Sequence, residues 1–384
     1  PDRPSRAWLS PSAGTMAPVA RLAAAILGAT AAAAVAADEA QALLNFAAYK
    51  RRHGKVYAGA EEEALRLTNF RRSVAVVEAH NALPEKSFRM GLNQFSDMSD
   101  EEFETKVLMK PQDCSATSGR SVGAPVADAV DLPKHVDWRE RGVIGEVKNQ
   151  GDCGSCWTFS TVGALEAHMA LKYDAWHAPR LSEQQLVECA QAFDNHGCEG
   201  GLPSHAFEYI RSAGGLSTEF SYPYLGKDGP CRFNRSATPE TQPFQPTSAG
   251  VGVEVPGGSV NLTQGDEAAL KYYLATRGPV SVAYQVADDF QHYESGVYTS
   301  TVCKSGPKDV NHAVLAVGYG TDPVSGKDYW TIKNSWDYTF GMEGFFKIEA
   351  MKNMCGIANC NAFPDLYGIN GAAGTAGRRG ALVV

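Results

Sequence analysis

The chain has 384 residues, 44% hydrophobic and 20% charged, with a net charge of −8 and a pI of about 5.6. That is the composition of an ordinary globular protein long enough for two or three domains. It has no Lys/Arg-rich run, so nucleic-acid binding lacks electrostatic support.

The first residue is Pro1, and residues 1–15 are expected to be an upstream or untranslated extension. From Met16 the sequence has the layout of a secretory signal over 16–37: Arg21 near its start, a small-apolar centre, and an Ala-Val-Ala-Ala exit with cleavage near 36–38. No other apolar run is long enough to span a bilayer, so stable membrane insertion is not expected.

Residues 38–82 read as charged and helical. Glu62, Arg66, Phe70, Ser73, Val77 and Asn81 recur at three- and four-residue steps, which puts them on one helical face. Gly91-Leu92-Asn93-Gln94-Phe95-Ser96-Asp97 follows. Residues 111–131 are rich in Pro, Ser, Gly and Ala and read as a linker or processing region, with the folded body starting near Leu132.

From 132 to about 235 helical segments alternate with loops. In Asn149-Gln150-Gly151-Asp152-Cys153-Gly154-Ser155-Cys156-Trp157, an apolar helical pattern starts at Cys156, so this thiol is placed at a helix N-terminus, where unpaired N–H groups favour a thiolate. Gln150 offers an amide donor to an oxyanion. Ser182 is positioned to cap a helix over 183–189. Gly197-Cys198-Glu199-Gly200-Gly201-Leu202-Pro203 is either a Gly-rich turn or a place where a peptide can approach the backbone closely.

Residues 240–265 read as a long surface loop, and strands are expected at 280–284, 313–319, 329–333 and 345–348. A helical half followed by a strand-rich half suggests two lobes with a cleft between them. His312 sits at the start of one strand. Asn334 follows a second strand that can lie beside it, placing an amide carbonyl where it can orient the imidazole, with Trp336 as a shield. A thiol nucleophile needs such a base and such an orienting partner. The end of the chain, 366–384, is expected to be a disordered tail.

Nine cysteines in a secreted chain leave at least one unpaired, which suits a nucleophile and argues against a redox pair of Cys153 and Cys156. Asn234-Arg235-Ser236 and Asn261-Leu262-Thr263 are glycosylation sequons.

The Cys153–Trp157 stretch, the His312 and Asn334 contexts and the two N-terminal motifs together resemble the papain family of cysteine peptidases. Within it the chain is most similar to the cathepsin H and aleurain branch, through Lys110-Pro111-Gln112-Asp113-Cys114-Ser115-Ala116-Thr117. The resemblance implies an α+β, papain-like two-lobed fold, with a helical left lobe and a β-barrel-like right lobe over 132–365. It also implies an inhibitory helical pro-segment over 38–109 and a mini-chain and processing linker over 110–131. Cys156, His312, Asn334 and Gln150 become catalytic residues, and Gly200, Gly201, Pro203, Trp336, Asp113 and Thr117 substrate-binding ones. Disulfides Cys153–Cys198, Cys189–Cys231, Cys303–Cys355 and Cys114–Cys360 are implied, leaving Cys156 free.

The implied activity is that of an acid-processed zymogen, an aminopeptidase with some endopeptidase activity. Peptides are its substrates, its own pro-segment and cystatin-type inhibitors its partners, and the lysosome, vacuole or extracellular space its destination. It is expected to act as a monomer and to need no cofactor or metal.

The sequence departs from the family pattern in three places. The Cys156-to-His312 interval exceeds the roughly 130–150 residues usual there, an excess the 240–265 loop can absorb. Asp337 stands where the family has Gly, and Phe340 where it has Trp. Three alternatives stay open: an endopeptidase without a working mini-chain, a catalytically impaired binding or inhibitory homologue, and a thiol–disulfide oxidoreductase using Cys153 and Cys156.

Overall fold

The computed structural model describes residues 38–114, 121–124, 131–173, 180–234 and 253–367. The signal segment 16–37, the extension 1–15 and Thr117 lie outside the described residues. The chain divides into two compact units, one ending at Arg71 and the other starting at Arg72.

In the first unit, helix α1 (residues 38–53) and the first half of α2 (Ala60–Asn81) enclose an aromatic cluster. Phe70 lies 5.4 Å from Phe46 and 4.9 Å from Tyr49, ring centre to ring centre. The predicted face of α2 is the less exposed one: Phe70 and Ser73 are buried, and Glu62, Arg66, Val77 and Asn81 are half-buried.

In the second unit the elements run β1 (Phe88–Met90), α3 (Asp100–Lys106), β2 (Ser121–Val122), β3 (Val136–Asp137), α4 (Cys156–Tyr173), α5 (Glu183–Cys189), α6 (Pro203–Ala213), β4 (Ser259–Leu262), α7 (Glu267–Thr276), β5 (Val280–Tyr284), β6 (Tyr293–Tyr298), β7 (His312–Thr321), β8 (Asp328–Lys333), β9 (Phe345–Glu349) and β10 (Ala362–Pro364). The four expected strands are present within one or two residues of their predicted ends. Ser182 caps α5 as expected, its hydroxyl accepting from the Gln185 N–H at 3.0 Å.

The strands form one sheet in the order β1-β6-β9-β8-β7-β5-β10-β4-β2, with β3 added along β7. Strand β7 divides two apolar cores. Val314 and Ala316 face the aromatic core of the strand-rich lobe, built around Phe290, Trp330 and Phe346. Ala313, Leu315 and Val317 face the helical core around Trp157, Leu186 and Phe207. Because side chains alternate across a strand, a strand buried on both faces must be apolar throughout, which explains why β7 shows no polar alternation.

Two expectations are corrected, for the surface loop and for the tail. The long surface loop contains β4, which pairs with β10 on one side and β2 on the other. Within the expected linker, β2 adds its backbone to the edge of β4. The expected tail does not start at 366: Leu366 is buried in the helical core, and Lys172 Nζ donates to its carbonyl at 2.7 Å.

Phe207, fully buried on α6, sets the helical core. Phe207→Ala is expected to cost about 3–5 kcal/mol, read as a lowered thermal midpoint of the full-length chain.

Candidate active site

Cys156 opens α4, as its apolar pattern predicts. The loop ahead of it is pinned by Gln150, whose backbone N–H donates to the Ser335 carbonyl at 2.9 Å and whose side-chain oxygen accepts from the Ser335 hydroxyl at 2.7 Å. Asn149 bridges to Trp336. The helical lobe is thereby tied to the residues just after Asn334.

Cys153 is bonded to Cys198, which removes the redox-pair alternative. The other pairs are Cys114–Cys360, Cys189–Cys231 and Cys303–Cys355, and Cys156 is the free cysteine, so all four implied disulfides form.

His312 is the first residue of β7 and Asn334 the first residue past β8, its antiparallel neighbour. Asn334 Oδ1 lies 2.8 Å from His312 Nε2, so Nε2 carries the hydrogen and donates to it. Nδ1 makes no hydrogen bond among the described residues. The Trp336 indole stacks on the imidazole with centroids 4.5 Å apart and covers that bond. Next along β7, the Ala313 N–H donates to Cys156 Sγ at 3.3 Å, which brings the sulfur to the mouth of the strand that begins with His312.

The thiolate expected from the helix N-terminus is not present in this state. Cys156 and His312 are both fully buried. Burial pushes the thiol up to about 12, outweighing the N–H groups of Ala313, Trp157, Met109 and Cys156 that pull it down. Burial pushes the imidazole down to about 4, against the opposing effect of the hydrogen bond it donates to Asn334. Both groups are therefore neutral.

The cover is the chain itself. Gln150 Nε2, the expected oxyanion donor, donates to the Val107 carbonyl at 2.7 Å and to the Cys153 carbonyl at 2.9 Å. Beyond Val107 the backbone alternates between the lobes: the N–H groups of Met109, Gln112 and Cys114 donate to Asn311, Val310 and Pro307, while that of Lys110 donates to Glu199. Phe95 and Phe103 each meet the Trp336 indole edge-on at 5.4 Å. Gln94 Nε2 donates to the Trp336 carbonyl. The second N-terminal motif, through Gln94 and Phe95, and Asn81 at the end of the first belong to this seat. Asn81 clamps Met90 in both directions, its amide donating to the Met90 carbonyl at 2.7 Å and its oxygen accepting from the Met90 N–H at 3.1 Å.

The remaining expected site residues divide. Gly200 lies under Met109 and Gln112, where an added Cβ would meet the Gln112 amide at 2.6 Å. Gly201, expected to pair with an extended peptide, is not the partner of the covering segment; Glu199 is, through Lys110. Pro203 starts α6 and is buried. Asp113 pairs with Lys308 at 3.2 Å. Asn234 is exposed, and Asn261 lies half-buried in β4. Asp337 has φ 65°, the left-handed region that favours Gly, at a cost of about 1 kcal/mol for another residue. Phe340 is fully buried, edge-on to Trp336 at 4.8 Å, so the smaller ring still closes this side.

Sequence reasoning missed a buried ionic cluster behind Asn334. Lys148 Nζ lies 2.8 Å from Glu183 and 3.2 Å from Glu166, beside Lys333, whose ammonium burial drives down to about 8. These residues are far apart in sequence and carry no motif. Among the described residues one group has the donor set of a metal site, His135, Asp137 and Glu140, but Arg139 already holds the Asp137 carboxylate, with its Nη2 2.6 Å from Oδ2.

Comparison with known proteins gives the same picture. Residues 132–364 match the family described as papain family cysteine protease, and residues 46–103 match the cathepsin propeptide inhibitor domain. The chain is 48% identical over 324 residues to thiol protease aleurain of Arabidopsis thaliana, covering 84% of each chain. It is 46% identical over 325 residues to pro-cathepsin H of Bos taurus, covering 83% of this chain and 89% of that protein. Among solved structures it is similar to a digestive procathepsin L2 proteinase from Tenebrio molitor, with TM-score 0.75 and 35% identity over 85% of this chain and all (100%) of that one. The chain belongs to the papain family of cysteine proteases, as a zymogen in which a cathepsin-type propeptide precedes the peptidase domain.

Proposed function

We propose that Cys156, His312, Asn334 and Gln150 are the catalytic set and that, once the pro-segment is removed, the enzyme is an aminopeptidase with residual endopeptidase activity. The observation carrying the first part is the Asn334–His312 hydrogen bond at 2.8 Å under Trp336, at the start of the strand whose next N–H reaches Cys156 Sγ at 3.3 Å.

Removing residues 88–109 readmits water and relieves the desolvation that holds thiol and imidazole neutral. Their proton affinities then approach and cross, and the proton moves from sulfur to ring. The thiolate attacks the scissile carbonyl, and the new oxyanion takes the place at Gln150 Nε2 that the Val107 carbonyl holds in the zymogen. The imidazolium protonates the leaving amine, and water releases the acyl group.

The aminopeptidase reading is supported by similarity to proteins named aleurain and pro-cathepsin H. It is also supported by the seat of residues 110–114 on the Gly200 side of the cleft, tied by Cys114–Cys360. Cut after Thr117, this segment would shorten the cleft and present a carboxylate to a substrate ammonium, excluding internal peptide segments. Passage through the secretory pathway to a lysosome-like, vacuolar or extracellular compartment, glycans at Asn234 and Asn261, a monomeric state and inhibition by cystatin-type proteins belong to the same reading. No helix among the described residues is long and apolar enough to cross a membrane.

Acid-processed enzyme is expected to cleave free-amine aminoacyl amides in preference to N-blocked peptides, with no turnover in Cys156→Ser. The Cys114→Ser/Cys360→Ser double variant should shift that preference toward blocked peptides; an unchanged ratio counts against the mini-chain. Gln150→Ala should lower kcat by about 10²–10³. In the full-length zymogen at neutral pH, a thiol-directed peptide epoxide should label Cys156 at least ~10-fold more slowly than after processing. Phe103→Ala, which empties one of the two edge contacts on Trp336, should speed that labelling.

A further inference from the structure

We propose that His292 is the group through which acid releases the pro-segment, a histidine of the peptidase domain seated directly beneath the propeptide. This deepens the zymogen reading and rests on it.

The turn carrying His292 is where the pro-segment docks by its backbone. The Gly91 N–H donates to the His292 carbonyl at 2.8 Å. One residue earlier, Asn93 Nδ2 donates to the Gln291 carbonyl at 2.8 Å, and Gln291 Nε2 returns a bond to the Phe95 carbonyl at 3.1 Å. One residue later, Tyr293 pairs with Met90 in the β1–β6 ladder. The backbone at and on either side of His292 is therefore bonded to the pro-segment, and His292 itself is only 5% exposed.

Its Nδ1 is buried without a hydrogen-bond partner among the described residues. A neutral ring can leave one nitrogen unpaired at modest cost. An imidazolium has two donors, and one would be buried with no acceptor and no counter-charge.

The charged groups around the ring do not supply that counter-charge. From the pro-segment side Asp100 favours the cation and Arg72 opposes it, and the two are paired with each other. On its own strand and turn, Glu294 pairs with Arg89 at 3.5 Å, and Asp289 accepts from the Tyr298 hydroxyl at 2.6 Å. Burial is the largest influence and pushes the ring down to about 4, from an ordinary value of 6.5.

The direction of the pH effect follows. A docked ring with lowered proton affinity contributes full docking strength above about 6.5, and that strength is lost as pH falls toward 4. If the undocked ring is solvated, those two values weaken docking roughly 50–100-fold between pH 7.5 and 4.5. The exposed pairs Arg72–Asp100 and Arg89–Glu294 lie in solvent, where such pairs contribute little.

The test uses the full-length chain with Cys156→Ser to prevent self-cleavage. Hydrogen exchange at Gly91 and its neighbours, corrected for intrinsic rates, reports opening of residues 88–98 at each pH. The expected result is a rise in opening of roughly 50–100-fold from pH 7.5 to 4.5, shrinking to less than about 5-fold in His292→Gln. An unchanged rise in His292→Gln overturns the proposal. Should that variant not fold, the His292 ring is titrated by NMR in the same Cys156→Ser chain; a pKa near 4 supports the proposal, and one near 6.5 with the segment docked overturns it. Neither measurement needs turnover, so a chain without peptidase activity would still show or lack this behaviour.

Discussion

The site depends on β7 being buried on both faces. A strand clamped between two apolar cores cannot slip by one residue without turning each core's side chains into the other, so its register is set by packing. That register puts His312 at the strand's first position, Ala313 against the Cys156 sulfur and Asn334 beside the imidazole. Gln150, tied to Ser335 at the end of β8, brings the helical lobe to the same point. Three separate stretches of the chain thus meet because two hydrophobic cores share one wall.

Inhibition in the zymogen uses the same force. Phe95 and Phe103 fill space against Trp336, Met109 enters the helical core, and Val107 takes the amide of Gln150. Excluding water blocks access, and it also removes the dielectric that a thiolate–imidazolium pair requires. One act of burial is therefore both a steric and an electrostatic lock. In the proposed function, the neutral Cys156 and His312 of the precursor become the reactive pair on exposure.

Much of this was legible in the chain. The helix behind Cys156, the strands around His312 and before Asn334, the cap at Ser182 and the two propeptide motifs are local patterns, and locality is what periodicity and capping chemistry report. The branch resemblance through Lys110–Thr117 carried the disulfide connectivity, which spacing alone leaves open. Strand β4 was missed because its Gly- and Pro-rich surroundings look like a loop; it is a strand because β10 and β2 offer it ladders on both sides. Leu366 was assigned to the tail because the buried pocket that accepts it is made by residues far away in sequence.

The amino-acid sequence by itself determined the reactive residue types, their order, the parity that leaves one thiol free, and the presence of a segment resembling an inhibitor. These follow from the chemistry of side chains and from short-range pattern. The protonation states of Cys156 and His312, the occupancy of Gln150 by Val107, the ionic cluster behind Asn334 and the burial of His292 were decided only by the tertiary structure. Each depends on how much water remains around a group, and that is set by neighbours the sequence does not place beside it.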